Sequence, residues 1–248
     1  MKFAQRTTWT LALCMLGTAL GSLAQAQDEQ AVRMRAALAA PGRPAEDKER
    51  DAVRKPIETV KFLGIETGDS VIDVIAVGGW FTEVLSAAVG PSGKVLAQNP
   101  DFFVSREGFA AREKERHDRL GNVQAVHGEL AANGVVAQAD AAITALNLHD
   151  LYNGQNGEAA AVAFAKGVYD ALKPSGMFGV IDHVGIAGQD NASFHRMQLA
   201  QAKDVLTKAG FRIDAESSIL ANPADDHTKG VRDMARHTDQ FLIRAHKP

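Results

Sequence analysis

The chain has one cysteine in 248 residues, Cys14, and only 6% aromatic residues. A single cysteine excludes an internal disulfide framework and a cysteine-based metal site. An excess of one charge is also lacking, since 27 basic residues face 30 acidic ones. That balance disfavours nucleic acid as a partner, because such partners select a basic surface.

Long apolar runs are confined to the N-terminus. Lys2 and Arg6 precede an apolar segment from about Trp9 to Leu23, and Ala-Gln-Ala follows at 24 to 26. This pattern is typical of a secretory signal peptide, and we predict cleavage after Ala26 and a periplasmic protein. A transmembrane anchor would need roughly 20 apolar residues. We therefore expect no stable membrane insertion after cleavage.

Cleavage there removes Cys14, so the mature chain would contain no cysteine. Lys2 and Arg6 leave with the leader, which gives 25 basic and 30 acidic residues and a net charge of −5. A lipoprotein anchored at Cys14 is not expected, because the preceding Leu13 is bulky where a small residue is needed. The overall composition, 46% hydrophobic with 22 glycines, is ordinary for one soluble α/β domain.

Strand-like and helix-like segments alternate along the mature chain. Apolar runs predict strands at 71–77, 94–99, 123–127, 139–146, 177–182, 211–219 and 240–245. Helical spacing and composition predict helices at 28–40, 57–63, 105–120, 158–172 and 194–209, and a charged helical region from about 44 to 55. This order indicates a doubly wound, mostly parallel sheet with helices on both faces and a terminal antiparallel strand. We expect an N-terminal helical segment at 27–63 and a Rossmann-like domain at 64–248.

One stretch, Val71 to Glu83, has the pattern of a ligand-binding turn. Its β-branched run reads as a buried strand, Gly78-Gly79 breaks it, and apolar residues then recur at helical spacing. A strand, a tight turn and a helix place backbone N–H groups at the carboxyl end of a strand, where nucleotide-like ligands bind.

From about residue 44 onward the chain resembles the class I S-adenosylmethionine-dependent methyltransferases. The resemblance rests on Asp73 followed by Gly78-Gly79-Trp80, on Ala-Leu-Lys-Pro-Ser-Gly at 171 to 176, and on Val-Ile-Asp-His at 180 to 183. Asn-Pro-Ala-Asp-Asp-His-Thr at 222 to 228 is similar to a group of predicted bacterial methyltransferases with an exported leader. The resemblance implies S-adenosylmethionine as cofactor.

The glycine loop departs from the pattern of that superfamily, which is Asp/Glu-x-Gly-x-Gly-x-Gly. Here Asp73 is the acidic residue, and the glycine positions fall on Ile75, Val77 and Gly79. A β-branched residue at positive φ costs on the order of 1–3 kcal/mol. We therefore expect the strand to continue to Val77 and the turn to be made by Gly78 and Gly79 alone, with weak cofactor binding as the consequence.

The resemblance places the other cofactor contacts after the next strands. An acidic residue usually accepts hydrogen bonds from the ribose at the end of the second strand, and Asn99 stands there with Asp101 two residues on. Glu129 is the candidate for the adenine ring, although it also reads as a surface residue in a turn. The predicted cofactor contacts are Asp73, Gly78, Gly79, Asn99, Glu129 and Asn147.

Candidate catalytic residues follow the fourth and fifth strands. Methyl transfer needs positioning, and a base only where the acceptor carries a proton. His149 is the predicted base, with Asp182 or His183 as orienting groups. The alternative for each histidine is a structural role in its own loop.

The segment Asn222 to Thr228 is predicted to cover the crevice, with Asp226 or His227 in contact with substrate; an ordered structural loop is the alternative. Carboxylates and imidazoles can bind metal. No tight ligand spacing is present, and no metal site is predicted.

Two function classes remain open from the sequence. One is an S-adenosylmethionine-dependent methyltransferase with a small-molecule acceptor. The other is a non-catalytic protein of the same fold that binds another small ligand in the cell envelope. The sequence does not predict an oligomeric state.

Overall fold

The computed structural model describes residues 25 to 234 and 237 to 248. The predicted signal peptide lies outside the described residues as far as residue 24, and so does Cys14. None of the helices in these two ranges is both long and apolar enough to cross a bilayer.

A single sheet of seven strands organises the described chain, in the order β3-β2-β1-β4-β5-β7-β6. Strands β1 to β5 run parallel, and β7 is antiparallel to both β5 and β6. The predicted doubly wound sheet with a terminal antiparallel strand is therefore confirmed. The strands are β1 Ser70–Val74, β2 Lys94–Asn99, β3 Val123–His127, β4 Ala139–Ala145, β5 Leu172–His183, β6 Arg212–Ser217 and β7 Gln240–His246.

Helices cover both faces of the sheet. Residues 25 to 38 are helical and are called α1. The others are α2 Ala45–Arg54, α3 Pro56–Leu63, α4 Trp80–Val89, α5 Asp101–Val104, α6 Phe109–Leu120, α7 Leu148–Tyr152, α8 Gly157–Ala171 and α9 Leu199–Lys208.

The alternation of strand side chains produces two cores. Ile72 packs on one face in a cluster to which α8 and α9 contribute buried alanines, valines and a leucine. Its neighbour Val71 packs on the other face, with Met34 of α1, Val60 of α3 and Leu85 of α4. Because β1 is buried on both faces from Val71 to Val74, that part of its sequence is apolar except for Asp73.

The first helix is attached to the sheet by polar side chains as well as by packing. The Gln30 amide donates to the carbonyl oxygens of Ile65 and Ala88 at 2.9 and 3.1 Å. The Arg33 guanidinium donates to the carbonyls of Ala87 and Ala88. The contacts with Ala87 and Ala88 satisfy carbonyl groups at the end of α4 that have no partner within the helix.

Three predicted boundaries differ from the structure by four residues or more. The helix predicted at 105–120 begins at Phe109, because Gly108 before it has φ 71°, and the short helix α5 precedes it. The helix predicted at 194–209 begins at Leu199, because His195 has φ 54° and cannot continue a right-handed helix. Strand β5 begins at Leu172 instead of 177, because Ser175 and Gly176 exchange backbone hydrogen bonds with Lys247.

Candidate functional site

Chain order reverses between β1 and β4, and the loops after β1, β2, β4 and β5 meet at this switch point. Strand β1 ends at Val74, so the prediction that it continues to Val77 is wrong. Instead, Ile75 has φ 58°, Val77 has φ 45° and Gly79 has φ 72°. Residues 75 to 79, called the cradle loop from here on, thus adopt a left-handed backbone at two β-branched residues, at a cost of about 1–3 kcal/mol each.

Two amide side chains at the end of β2 hold the cradle loop in this conformation. The Gln98 side-chain oxygen accepts a hydrogen bond from the N–H of Ile75 at 3.0 Å. The Asn99 side-chain oxygen accepts one from the N–H of Val77 at 2.7 Å. The Gln98 nitrogen in turn donates to the carbonyl of Gly128 after β3. The bonds from Ile75 and Val77 compensate the unfavourable φ angles, because each pairs a backbone N–H of the cradle loop.

The side chain of Asn99 therefore forms its hydrogen bonds within the protein. Its side-chain nitrogen donates to Glu113 at 3.1 Å while its oxygen is bonded to Val77. Both polar atoms of Asn99, the predicted ribose contact, thus already have a partner within the protein, and the residue is 1% exposed. Asp101 and Glu129 are exposed, and within the described residues no hydrogen bond of either carboxylate is found.

Asp73 lies at the base of the cradle loop and is 3% exposed. Its carboxylate accepts a hydrogen bond from the Thr82 hydroxyl of α4 at 2.6 Å. Burial raises the pKa of Asp73 to about 6, although the bonds from Thr82 oppose the shift. Asp73 thus connects β1 to α4 as well as facing the crevice.

Two cavities of similar volume flank the cradle loop, and a smaller one of about 230 Å³ also borders its residues 76 to 79. Cavity A has a volume of about 460 Å³, and its wall includes Ile75, Asp101, Glu129, Leu130 and Phe164. Cavity B has a volume of about 450 Å³ and lies on the other side, between α2 and the ends of β4 and β5. The Ile75 side chain lines both cavities. Volumes of this size are ordinary for small-molecule sites.

The predicted cofactor residues are distributed around these cavities. Gly78, Gly79, Asp73 and Asn147 line cavity B, whereas Glu129 lines cavity A. The Asn147 amide donates to the carbonyl of Ala145 at 2.9 Å and to that of Ile75 at 3.3 Å. Asn147 therefore fixes the cradle loop from the β4 side.

A cluster of histidines and carboxylates occupies the far wall of cavity B. Asp182 is fully buried at the end of β5, and its two oxygens contact the Nδ1 and the backbone N–H of His149 at 2.6 and 2.8 Å. The Nε2 of His149 lies 3.2 Å from Asp150, which His195 also contacts through Nδ1 at 2.8 Å. Asp182 therefore orients the ring of His149.

The electrostatics of this cluster alter the role of His149. Burial on its own lowers the pKa of His149, but the Asp182 and Asp150 carboxylates outweigh burial and raise it to about 10. The imidazole is then charged at neutral pH, so the arrangement does not support the predicted role as a general base. The hydrogen bond from His149, opposed by burial, lowers the pKa of Asp150 to about 2.

His183 differs from its neighbour. Its Nδ1 lies 2.5 Å from the Thr238 hydroxyl, and its backbone N–H donates to Asp182. Burial lowers the pKa of His183 to about 4, so its ring is neutral. The two imidazole rings lie 5.5 Å apart and both line cavity B.

In the segment 222 to 228, the side chains of Asp226 and His227 contact other residues of the protein and not the crevice, where the sequence analysis expects them. Asp226 accepts hydrogen bonds from Thr228, and His227 contacts Asp239 at 3.0 Å. Neither Asp226 nor His227 belongs to the walls of cavities A and B. Asp225 instead forms a buried ion pair with Arg196, at 2.9 and 3.1 Å.

Sequence reasoning missed three residues that the structure brings into the site. Gln98 and Asp150 were each next to a predicted residue, and a hydrogen-bonding role for them was not recognisable without the fold. His195 was assigned to a helix, and no local signal indicates its left-handed backbone. Arg196 and Asp225 are 29 residues apart in the sequence, and their pairing follows only from the fold.

No protein-family model and no curated protein sequence matches this chain. Many solved structures do, and an S-adenosylmethionine-dependent methyltransferase from Aquifex aeolicus is one of them, with 19% identity, a TM-score of 0.58, and coverage of 83% of this chain and 99% of that one. An arsenic(III) S-adenosylmethionine methyltransferase from Chlamydomonas reinhardtii has 19% identity, a TM-score of 0.54, and coverage of 86% and 72%.

The cyclase SpnF is another structural neighbour, with 16% identity, a TM-score of 0.58, and coverage of 85% of each chain. Identities this low show the fold and leave the activity to be argued from the site. The chain has the Rossmann-like fold of the class I methyltransferases.

Proposed function

We propose that the protein is an S-adenosylmethionine-dependent methyltransferase with a small-molecule acceptor. The backbone of the cradle loop carries the proposal. Ile75, Val77 and Gly79 hold φ angles of 58°, 45° and 72°, which are the angles that glycine adopts without cost. A conformation kept against strain at the carboxyl end of a strand points to a ligand that needs it.

Cavity A suits the adenosine half of the cofactor. Asp101 and Glu129 offer exposed carboxylates that can accept hydrogen bonds from ribose hydroxyls and from the adenine edge. Leu130 and Phe164 provide apolar walls for a planar ring. Asp101 thus takes the ribose role that the sequence resemblance gives to Asn99.

Cavity B suits the methionine half and the acceptor. S-adenosylmethionine would supply a methyl group on a positively charged sulfur. The wall of cavity B includes carboxylates, such as those of Glu46 and Asp73, and also the guanidinium groups of Arg50 and Arg54, so it offers partners for both the ammonium and the carboxylate of the methionine part. His149 and His183 line the same cavity, and we assign them to contact with the acceptor, with Asp182 positioning His149.

Ile75 sets a limit on affinity. Its side chain lines both cavities, so it lies beside the path by which a ligand would extend from one to the other. We expect weaker binding than a glycine at position 75 would allow. The alternative is that the protein has lost this cofactor and binds another small ligand, and the titration described next distinguishes the two.

Calorimetric titration with S-adenosylmethionine tests the proposal. We expect binding, and a roughly tenfold loss of affinity in Asp101→Asn, because an amide accepts more weakly than a carboxylate. Asp170→Asn is the matched control, since Asp170 is an exposed carboxylate paired with Lys166 of the same helix. Absence of both heat and a thermal shift at millimolar ligand would exclude the cofactor.

We also propose that the protein is exported and cleaved after Ala26. The described anchors of α1, which are Gln30, Arg33, Met34 and Leu38, all follow that bond. Removal of the leader would therefore leave the attachment of α1 intact. N-terminal sequencing of exported material should give Gln27, and any other terminus would refute the cleavage site.

A further inference from the structure

Three donor atoms converge on the wall of cavity B. They are the Nε2 of His149, a carboxylate oxygen of Asp150 and a ring nitrogen of His195, and all lie within 4.8 Å of one another. The distances from the Asp150 oxygen to the two ring nitrogens are 3.2 and 2.8 Å. Two imidazole nitrogens and one carboxylate oxygen are a donor set that divalent first-row metals take in proteins.

The first donor, His149, is oriented by a carboxylate on the opposite side of its ring. Its Nδ1 contacts the buried Asp182 carboxylate at 2.6 Å, and its backbone N–H donates to the other oxygen of Asp182. The ring is thereby fixed with Nε2 directed at Asp150. Metal-binding histidines commonly have this arrangement, in which a carboxylate holds the second ring nitrogen.

The third donor, His195, is held by an unusual backbone. Its φ of 54° is left-handed, and its side chain is only partly buried, so no apolar core requires this conformation. The neighbouring Arg196 is fully buried and paired with Asp225, and its carbonyl accepts a hydrogen bond from Asn153. These contacts fix the chain so that His195 faces the other two donors.

We propose that His149, Asp150 and His195 bind a divalent transition metal ion, with zinc as the ion that suits this donor set best. A three-ligand zinc site leaves a coordination position for water or a ligand atom, and here that position would adjoin cavity B. The ion would replace the proton on His149. The three donors come from segments 45 residues apart, which is why their spacing in the sequence gives no metal motif.

Titration of untagged, chelator-treated protein tests this site. Calorimetry with zinc should show one ion per chain, and cobalt(II) should give the absorption bands of a tetrahedral ion. His195→Asn should weaken zinc binding by at least about tenfold, since it removes a ligand outright. Because His195 is partly exposed, this variant is expected to fold, and circular dichroism checks that it does.

His246→Asn is the matched control. His246 forms the same kind of pair, with Nδ1 at 2.6 Å from Asp214, but it lies near the start of β5, away from cavity B. Its removal should leave zinc affinity unchanged. Absence of zinc binding at millimolar concentration, or an unchanged affinity in His195→Asn, would show that the cluster is a hydrogen-bonded network without an ion. The test does not involve S-adenosylmethionine, so its failure would leave the proposed transfer standing.

Discussion

The side-chain oxygen of Asn99 accepts a hydrogen bond from the backbone N–H of Val77 at 2.7 Å. This contact ties the end of β2 to the strained part of the cradle loop. It also uses the amide that the superfamily pattern would offer to a ribose. Asn99 thus supports the loop, whereas the Asp101 carboxylate is exposed and has no hydrogen-bond partner among the described residues.

Removal of this support should destabilise the protein. Asn99→Ala leaves the N–H of Val77 and an oxygen of Glu113 without their partner, and we expect a loss of about 1–3 kcal/mol in the free energy of unfolding. Urea unfolding measures it. Gln124→Ala, at an exposed position on the neighbouring strand β3, should cost much less. Equal losses in the two variants would show that the bond to Val77 is unimportant.

Relief of the backbone strain in the cradle loop should stabilise the protein. Val77 is 38% exposed at φ 45°, so Val77→Gly gives up little burial and removes an unfavourable φ. After the entropy cost of glycine in the unfolded chain, we expect a net gain of about 1 kcal/mol.

The control for that gain is Val136→Gly. Val136 is 52% exposed and is not among the residues with positive φ, so glycine there should destabilise by up to about 1 kcal/mol. If both variants lose the same stability in urea, the left-handed backbone of Val77 carries no strain.

Asp73 should make stability depend on pH. The pKa of its carboxyl is raised by burial to about 6 from an ordinary 3.8, so the folded state binds the proton more tightly than the unfolded state does. This contribution is fully present below about pH 4 and is lost as pH rises through 6, on the order of 3 kcal/mol in all. Asp73→Asn removes it. Parallel slopes of stability against pH for the two proteins, measured between pH 4 and 7, would contradict the assignment.

The buried pair of Arg196 and Asp225 should couple strongly. Arg196→Met leaves Asp225 charged and unpaired in the interior, with an expected loss of about 3–5 kcal/mol. The double variant Arg196→Met with Asp225→Leu should recover part of it, because no charge is then left buried, although the N–H groups of His227 and Asp239 lose their acceptor. Urea unfolding of the four proteins completes a double-mutant cycle, and additive losses would mean that the two side chains do not interact.

The sequence predicts the sheet well because burial on both faces leaves a clear apolar run. Strand β2, which is buried from Val95 to Asn99, has the predicted bounds for this reason. Strand β3 also has its predicted bounds, although it lies at the edge of the sheet and only Val126 in it is buried. The conformation of the cradle loop was predicted wrongly because the sequence shows the cost of a positive φ at Ile75 but not the hydrogen bond that offsets it. That bond, from the N–H of Ile75 to the Gln98 side chain, depends on the fold. His195 failed in the same way, since the pair that fixes its neighbour joins distant segments. Local propensity was overridden in both places by tertiary contacts near the candidate site.

The most direct test of the account is calorimetric titration of S-adenosylhomocysteine into the wild type and into the double variant Ile75→Gly with Val77→Gly. The account predicts that the wild type binds, because the backbone of the cradle loop already has the required conformation, and that the double variant binds more tightly. Absence of binding to both proteins at millimolar ligand would contradict it.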